Sequence, residues 1–182
     1  MPETAVRNVP GLPSADWMNP LPPATRLAFQ GGPVARAAAA RVFPLPEADA
    51  VCRARSEGDR AGLWLGPDEC LLLAPAAPGA ATLLAELRAA IGTTAHSLVD
   101  VSHRQIGLEI RGPHAERILN GACPLDLSLD RFPVGMCTRT VFAKAEIVLW
   151  RTQEQRFHVE VWRSFAPYAA ALLEEIAQDY VG

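Results

Sequence analysis

Apolar positions follow two rhythms along the chain, a period of two and a period near 3.6, and the switches between them mark strands and helices. "RLAFQ" reads as a strand, "GGPVARAAAARVF" as a helix opened by Pro33, and "LWLGPDECLLLA" as two strands around a Gly66-Pro67-Asp68 turn. Pro78 then opens "GAATLLAELRAAIG", where Leu83, Leu84, Leu87 and Ile91 share one helical face and Gly92 supplies the stop. "HSLVDV" returns as a strand. Beyond it the grammar repeats. "QIGLEI" alternates Ile106, Leu108 and Ile110 with polar or small residues, and Gly112-Pro113 launches a helix carrying Ala115, Ile118 and Leu119 and ending at Gly121. "TVFAK", "EIVLW" and "RFHVEVW" follow as strands. A final helix is expected from an N-cap at Ser164, with Phe165, Ala169, Leu172, Leu173, Ile176 and Tyr180 on one stripe.

The two halves superimpose at two places. Gly32-Pro33 before a helix matches Gly112-Pro113 before a helix, and "PGAATLLAEL" from Pro78 matches "PYAAALLEEI" from Pro167. An internal duplication of a β-α-β-β-α unit accounts for both, and sheets with helices segregated on one face make the class α+β. The expected organisation is an extended proline-rich arm over 1–25, a first unit over 26–102 and a second over 103–182. Pro2, Pro10, Pro13, Pro20, Pro22 and Pro23 bar the arm from a helix or a central strand, while its Trp17-Met18 pair is apolar enough to dock on something.

Composition narrows the function. The chain has 182 residues, 49% of them hydrophobic and 20% charged, with a net charge of −3. That supplies a core but no basic footprint for nucleic acid or an anionic membrane. The start "MPETAVRNVPGLPSADW" lacks the basic and apolar regions of a signal peptide, and no apolar run approaches the ~18 to 20 residues of a membrane span, so a cytoplasmic protein is expected.

Candidate chemistry is thin. Neither G-x-G-x-x-G after a strand nor G-x-x-x-x-G-K-[ST] occurs. Cys52, Cys70, Cys123 and Cys137 form no C-x-x-C pair and lie near no histidine at ligand spacing, so they read as packing thiols rather than a zinc set. In "DVSHR", Asp100 and Ser102 share a face of an extended strand while His103 points to the other, which suits a strand-end hydrogen-bond cluster better than a catalytic triad. No catalytic, cofactor-binding or metal residue is expected. The arginines flanking strands are better placed for contact with another chain, because guanidinium groups are enriched at protein interfaces. Trp17, Arg104, Arg131, Arg139, Arg151 and Arg163 are therefore the expected interface residues.

"LWLGPDECLLLAP", "VDVSHRQIGLEIRGPHAERILNGACPLDL", "FPVGMCTRTVFAKAEIVLWR" and "FHVEVWRSFAPYAAALLEE", in that order over about residues 60 to 175, resemble the gamma subunits of heterotetrameric sarcosine oxidases. That family is similar in fold to folate-binding aminomethyltransferases, whose framework is a tandem of ferredoxin-like units. The resemblance implies a non-catalytic scaffold beside an alpha subunit that carries NAD and the tetrahydrofolate site. It implies FAD on a beta subunit, a covalent FMN between alpha and beta, and zinc on a delta subunit. Two departures from the folate-using relatives weigh against a folate cavity in this chain: Asp59 stands alone where they carry paired aspartates, and Arg139-Thr140 loosely replaces their Arg-Asp strand entry. The equivalent subunit of an N-methyl amino acid dehydrogenase and a free-standing folate-binding transferase are the alternative readings.

Overall fold

The computed structural model describes residues 12–46 and 51–181. The targeting reading of the first eleven residues, with Pro2 and Pro10, lies outside them. Two compact units are present: residues 23–102 belong to one, and 12–22 together with 103–181 to the other.

The first unit is built from β2 (Ala24–Gly31), α1 (Pro33–Ala39), β3 (Ala54–Glu57), β4 (Arg60–Trp64), β5 (Glu69–Pro75), α2 (Ala80–Ile91) and β6 (His96–Asp100). Its sheet runs β3-β4-β5-β2-β6, every neighbouring pair antiparallel. Counting β2, β4, β5 and β6 as first to fourth gives the 4-1-3-2 order of a ferredoxin-like unit, with β3 added at one edge. One sheet face and the apolar sides of α1 and α2 close a core around Leu27, Phe29, Trp64, Leu72, Leu83 and Leu87. Leu83, Leu87 and Ile91 are buried on α2, and Gly92 ends it at φ 65°, a conformation glycine adopts without steric cost. Helix α1 is shorter than its alanine-rich sequence suggests, turning out of helix after Ala39.

The second unit consists of β1 (Met18–Pro20), β7 (Gln105–Arg111), α3 (Ala115–Asn120), β8 (Cys137–Phe142), β9 (Ala145–Gln153), β10 (Arg156–Trp162) and α4 (Ala166–Ala177). Its order is β1-β7-β10-β9-β8, again antiparallel. Helices α3 and α4 close the core with Leu108, Ile110, Phe132, Ile147, Leu149, Phe157 and Val159. The matched helices of the sequence repeat occupy matching places: α1 and α3 each follow the first core strand, α2 and α4 the third.

Two expectations shift. The proline-rich segment is not an arm from residue 18 onward: Met18 pairs with Ile110, Asn19 with Glu109 and Pro20 with Leu108, and Met18 is wholly buried in the second core. An apolar side chain at that register gains more by filling the sheet edge than by facing water, and Pro20 is tolerated because β1 has a neighbour on one side only. The last helix begins at Ala166 with Phe165 as N-cap, and Ser164 makes no capping hydrogen bond. Its buried stripe is Ala166, Ala169, Ala170, Leu173 and Ala177, which leaves Phe165 and Tyr180 exposed rather than in the core.

Candidate subunit interface

The six expected interface residues separate into distinct environments. Arg151 is a fold residue. The alternation of β9 sends it to the same face as Ile147 and Leu149, and its side chain is 1% exposed. There it donates to the Glu116 carboxylate of α3 at 2.8 Å and to the Phe132 carbonyl at 2.8 Å, with the guanidinium 4.5 Å from the Phe157 ring centre. A side chain so enclosed has nothing to offer another chain, which corrects that expectation. Trp17 is half-buried against the second core beside Met18, so much of its apolar surface is used within its own unit.

Arg139 lies on the edge strand β8 and bridges to Glu146 of β9 at 2.9 Å, both side chains part-exposed. Arg131 is exposed in the loop before β8. Nearby, Asp126 accepts the Ser128 backbone N–H at 2.9 Å. The Ser128 backbone and side-chain hydrogen bonds hold the Asp126 carboxyl below its usual range, with a smaller push from Arg131.

Arg104 and Arg163 meet at one corner. The Arg163 N–H donates to the Arg104 carbonyl at 2.9 Å, and its Nε donates to the His103 carbonyl at 3.1 Å. The Arg104 guanidinium sits 5.5 Å from the centre of the Trp162 ring. Phe165 and Tyr168 stand exposed on the same turn and the first turn of α4. Sequence reasoning passed over Trp162 and Tyr168 and placed Phe165 in the core; the signal available was three aromatic residues within seven positions flanking a proline.

The "DVSHR" cluster holds strands together. Asp100 Oδ1 accepts from the Ser102 N–H at 2.9 Å and from its hydroxyl at 2.5 Å, and Ser102 Oγ accepts the Arg26 N–H at 2.9 Å. Ser102 is buried and His103 exposed, so these bonds fasten the end of β6 to β2 and form no nucleophile-base pair. All four cysteines are free, with Cys70, Cys123 and Cys137 buried. Burial pushes the Cys70 thiol up to about 12, against a smaller opposing effect of Arg36, so it stays protonated at neutral pH. Among the described residues no three His, Cys, Asp or Glu side chains converge as metal ligands, and no helix is long and apolar enough to cross a membrane.

The first unit carries two depressions, one of about 200 Å³ between Thr25, Pro78, Thr82 and Glu86, and a wider one of about 450 Å³ between Arg41, Phe43, Arg55 and Glu57. Asp59 and Arg60 line both. Their walls are mostly polar and open to water, without the apolar enclosure that a bound pteridine ring would need.

Comparison with known proteins supplies the wider frame. Residues 31–179 match the family model "Sarcosine oxidase, gamma subunit family". Sarcosine oxidase subunit gamma of Corynebacterium sp. (strain P-1) is 36% identical over 136 residues, 75% of this chain and 65% of that protein. The Arthrobacter sp. subunit gamma is 39% identical over 67% of this chain and 58% of that protein. The aligned stretch thus spans less than two thirds of these curated relatives. The structure of heterotetrameric sarcosine oxidase from Corynebacterium sp. U-96 in complex with pyrrole 2-carboxylate contains a chain 28% identical, with a TM-score of 0.82 over 91% of this chain and 85% of that one. Glycine cleavage system aminomethyltransferase T from Bartonella henselae, 16% identical, shares the fold with a TM-score of 0.63 over 89% of this chain and 45% of that one.

Proposed function

Because the chain belongs to the sarcosine oxidase gamma subunit family, we propose that it is the non-catalytic gamma subunit of a cytoplasmic heterotetrameric sarcosine oxidase. The assembly would demethylate sarcosine oxidatively to glycine and pass the one-carbon unit to tetrahydrofolate. In this reading FAD, FMN, NAD, tetrahydrofolate and zinc reside on the alpha, beta and delta subunits, and this chain is a scaffold whose principal neighbour is alpha.

The observation that carries the reading is the ordered likeness to gamma subunits through both units, residues 31–179. The local chemistry agrees with it. Ser102 is committed to Asp100 and Arg26, and Cys70 is a protonated, buried thiol, so the groups that most resembled reactive ones are engaged in holding the fold. The likeness to aminomethyltransferase T is one of fold, and the depressions of the first unit are polar and open to water.

Affinity purification of the tagged chain from its native host tests the proposal. Recovery of alpha, beta and delta chains with sarcosine-dependent oxygen uptake is the expected result, with the chain alone colourless and inactive. A flavin spectrum on the isolated chain, or quenching of its tryptophan fluorescence by a reduced folate, would contradict it.

A further inference from the structure

We propose that the corner formed by Trp162, Phe165 and Tyr168 with Arg104 and Arg163 docks an acidic segment of another subunit that also carries apolar side chains. The inference rests on the subunit reading above and assigns it a surface. Trp162, Phe165 and Tyr168 are 38%, 41% and 39% exposed within seven residues, an apolar concentration that a free surface seldom carries without a partner. Tryptophan, tyrosine and arginine are the residues that dominate binding energy at protein interfaces, and here they are gathered at one place.

The corner is also rigid. Arg163 ties the loop holding His103 and Arg104 to the end of β10, and the Phe165 N–H donates to the Trp162 carbonyl at 2.8 Å. A surface held in place before binding loses little conformational freedom when a partner arrives. Arg104 stands at the corner with its guanidinium 5.5 Å from the Trp162 ring centre, and among the described residues no carboxylate pairs with it. Arg104 brings a cation without an ion pair to the edge of the exposed rings, so the complementary segment presents Asp or Glu beside apolar groups that cover the rings.

The test assembles the full chain with co-expressed alpha, beta and delta subunits and measures its affinity for them. Trp162→Ala is expected to raise Kd about tenfold or more, as hot-spot truncations do, without lowering the melting temperature of the free chain appreciably. Arg104→Gln is expected to weaken binding and flatten its salt dependence. Lys144 is the single lysine of the sequence, so Arg104→Lys adds one identifiable amine at the corner. Carbodiimide treatment of that variant in the complex is expected to join residue 104 to an Asp or Glu of another subunit, located by peptide mass spectrometry. Should Trp162→Ala fail to fold, Phe165→Ser and the cross-link decide. Unchanged affinity of the folded variants, or a cross-link only to a second copy of this chain, overturns the corner and leaves the subunit reading standing. Failure of the wild-type chain to assemble overturns both.

Discussion

The two units reach the same sheet by different routes. In the first, the chain runs from α2 directly into β6, which pairs with β2 and completes the sheet from within a continuous stretch. In the second, the place beside β7 that corresponds to β6 is taken by β1, which precedes β2 in the chain rather than following α4. A duplicated unit can therefore be recognisable in sequence while the strand that completes it lies elsewhere. Two buried arginines, one in each unit, are also held differently. Arg36 rests with its guanidinium 3.7 Å from the Trp64 ring centre and reaches the Pro67 carbonyl at 3.4 Å, whereas Arg151 is neutralised by the Glu116 carboxylate at 2.8 Å.

The largest expected effect breaks the first of these contrasts. Met18→Asp puts a carboxylate where the side chain is wholly buried, at a cost of more than about 4 kcal/mol. Hydrogen exchange resolved by residue is expected to show β7 and β10 losing protection far more than β2 and β5. Equal loss in both sheets would remove the distinction. Next, Arg151→Met is expected to cost about 2 to 3 kcal/mol in denaturant unfolding, less than breaking a fully enclosed pair, because Glu116 is 39% exposed and regains water. Arg36→Met, which removes a ring contact and a long hydrogen bond, is expected to cost about 1 kcal/mol.

Glycines sharpen the comparison further. A Cβ at Gly62 of the first unit would stand 2.3 Å from the Pro44 carbonyl oxygen, which is backbone and cannot swing aside, so Gly62→Ala should lose about 1 to 3 kcal/mol. A Cβ at Gly121 of the second would meet Ile176 Cγ2 at 2.7 Å and the Ile118 carbonyl oxygen at 3.2 Å; the β-branched Ile176 has little rotamer freedom within α4, so α4 must shift slightly, and Gly121→Ala is expected to cost about 1 kcal/mol, less than Gly62→Ala. Thermal melts of the two variants give the ranking directly.

The Cys70 thiol gives a pH test. Its folded value of about 12 lies above the ordinary 9.0, so the unfolded chain releases the proton first as pH rises. This contribution to stability is complete below about pH 9 and falls between about 9 and 12, and Cys70→Ala is expected to flatten that part of the stability profile. The smallest effect is at Arg139→Glu: its pair with Glu146 is part-exposed, and the melting temperature of the free chain should reflect a change of no more than about 1 kcal/mol.

Legibility in the sequence followed the strength of the local signal. The α2 face, the Gly66-Pro67-Asp68 turn and the alternation in β7 and β10 all carry strong periodicity, and the structure has them where the pattern put them. Strand β3, "ARSE", has no apolar alternation because it is an exposed edge held only by pairing with β4, so nothing in its composition announced it. Strand β1 was hidden because its partner lies about ninety residues further along the chain, at Leu108 to Ile110, and pairing of that range leaves no local mark. The interface expectation failed at Arg151 for a related reason: an arginine beside a strand end looks solvent-facing until the strand's parity and the position of Glu116 are known. The aromatic corner was legible as composition but not as exposure, because the stripe of α4 is led by alanines and turned away from Phe165.

Native mass spectrometry of the complex formed with co-expressed alpha, beta and delta chains tests the scaffold assignment most directly. The account predicts a four-chain assembly from which this chain dissociates at its bare polypeptide mass, with every flavin, nicotinamide and zinc mass retained on the other chains. A chain that flies alone from the mixture, or that leaves the assembly carrying the mass of a cofactor, would contradict it.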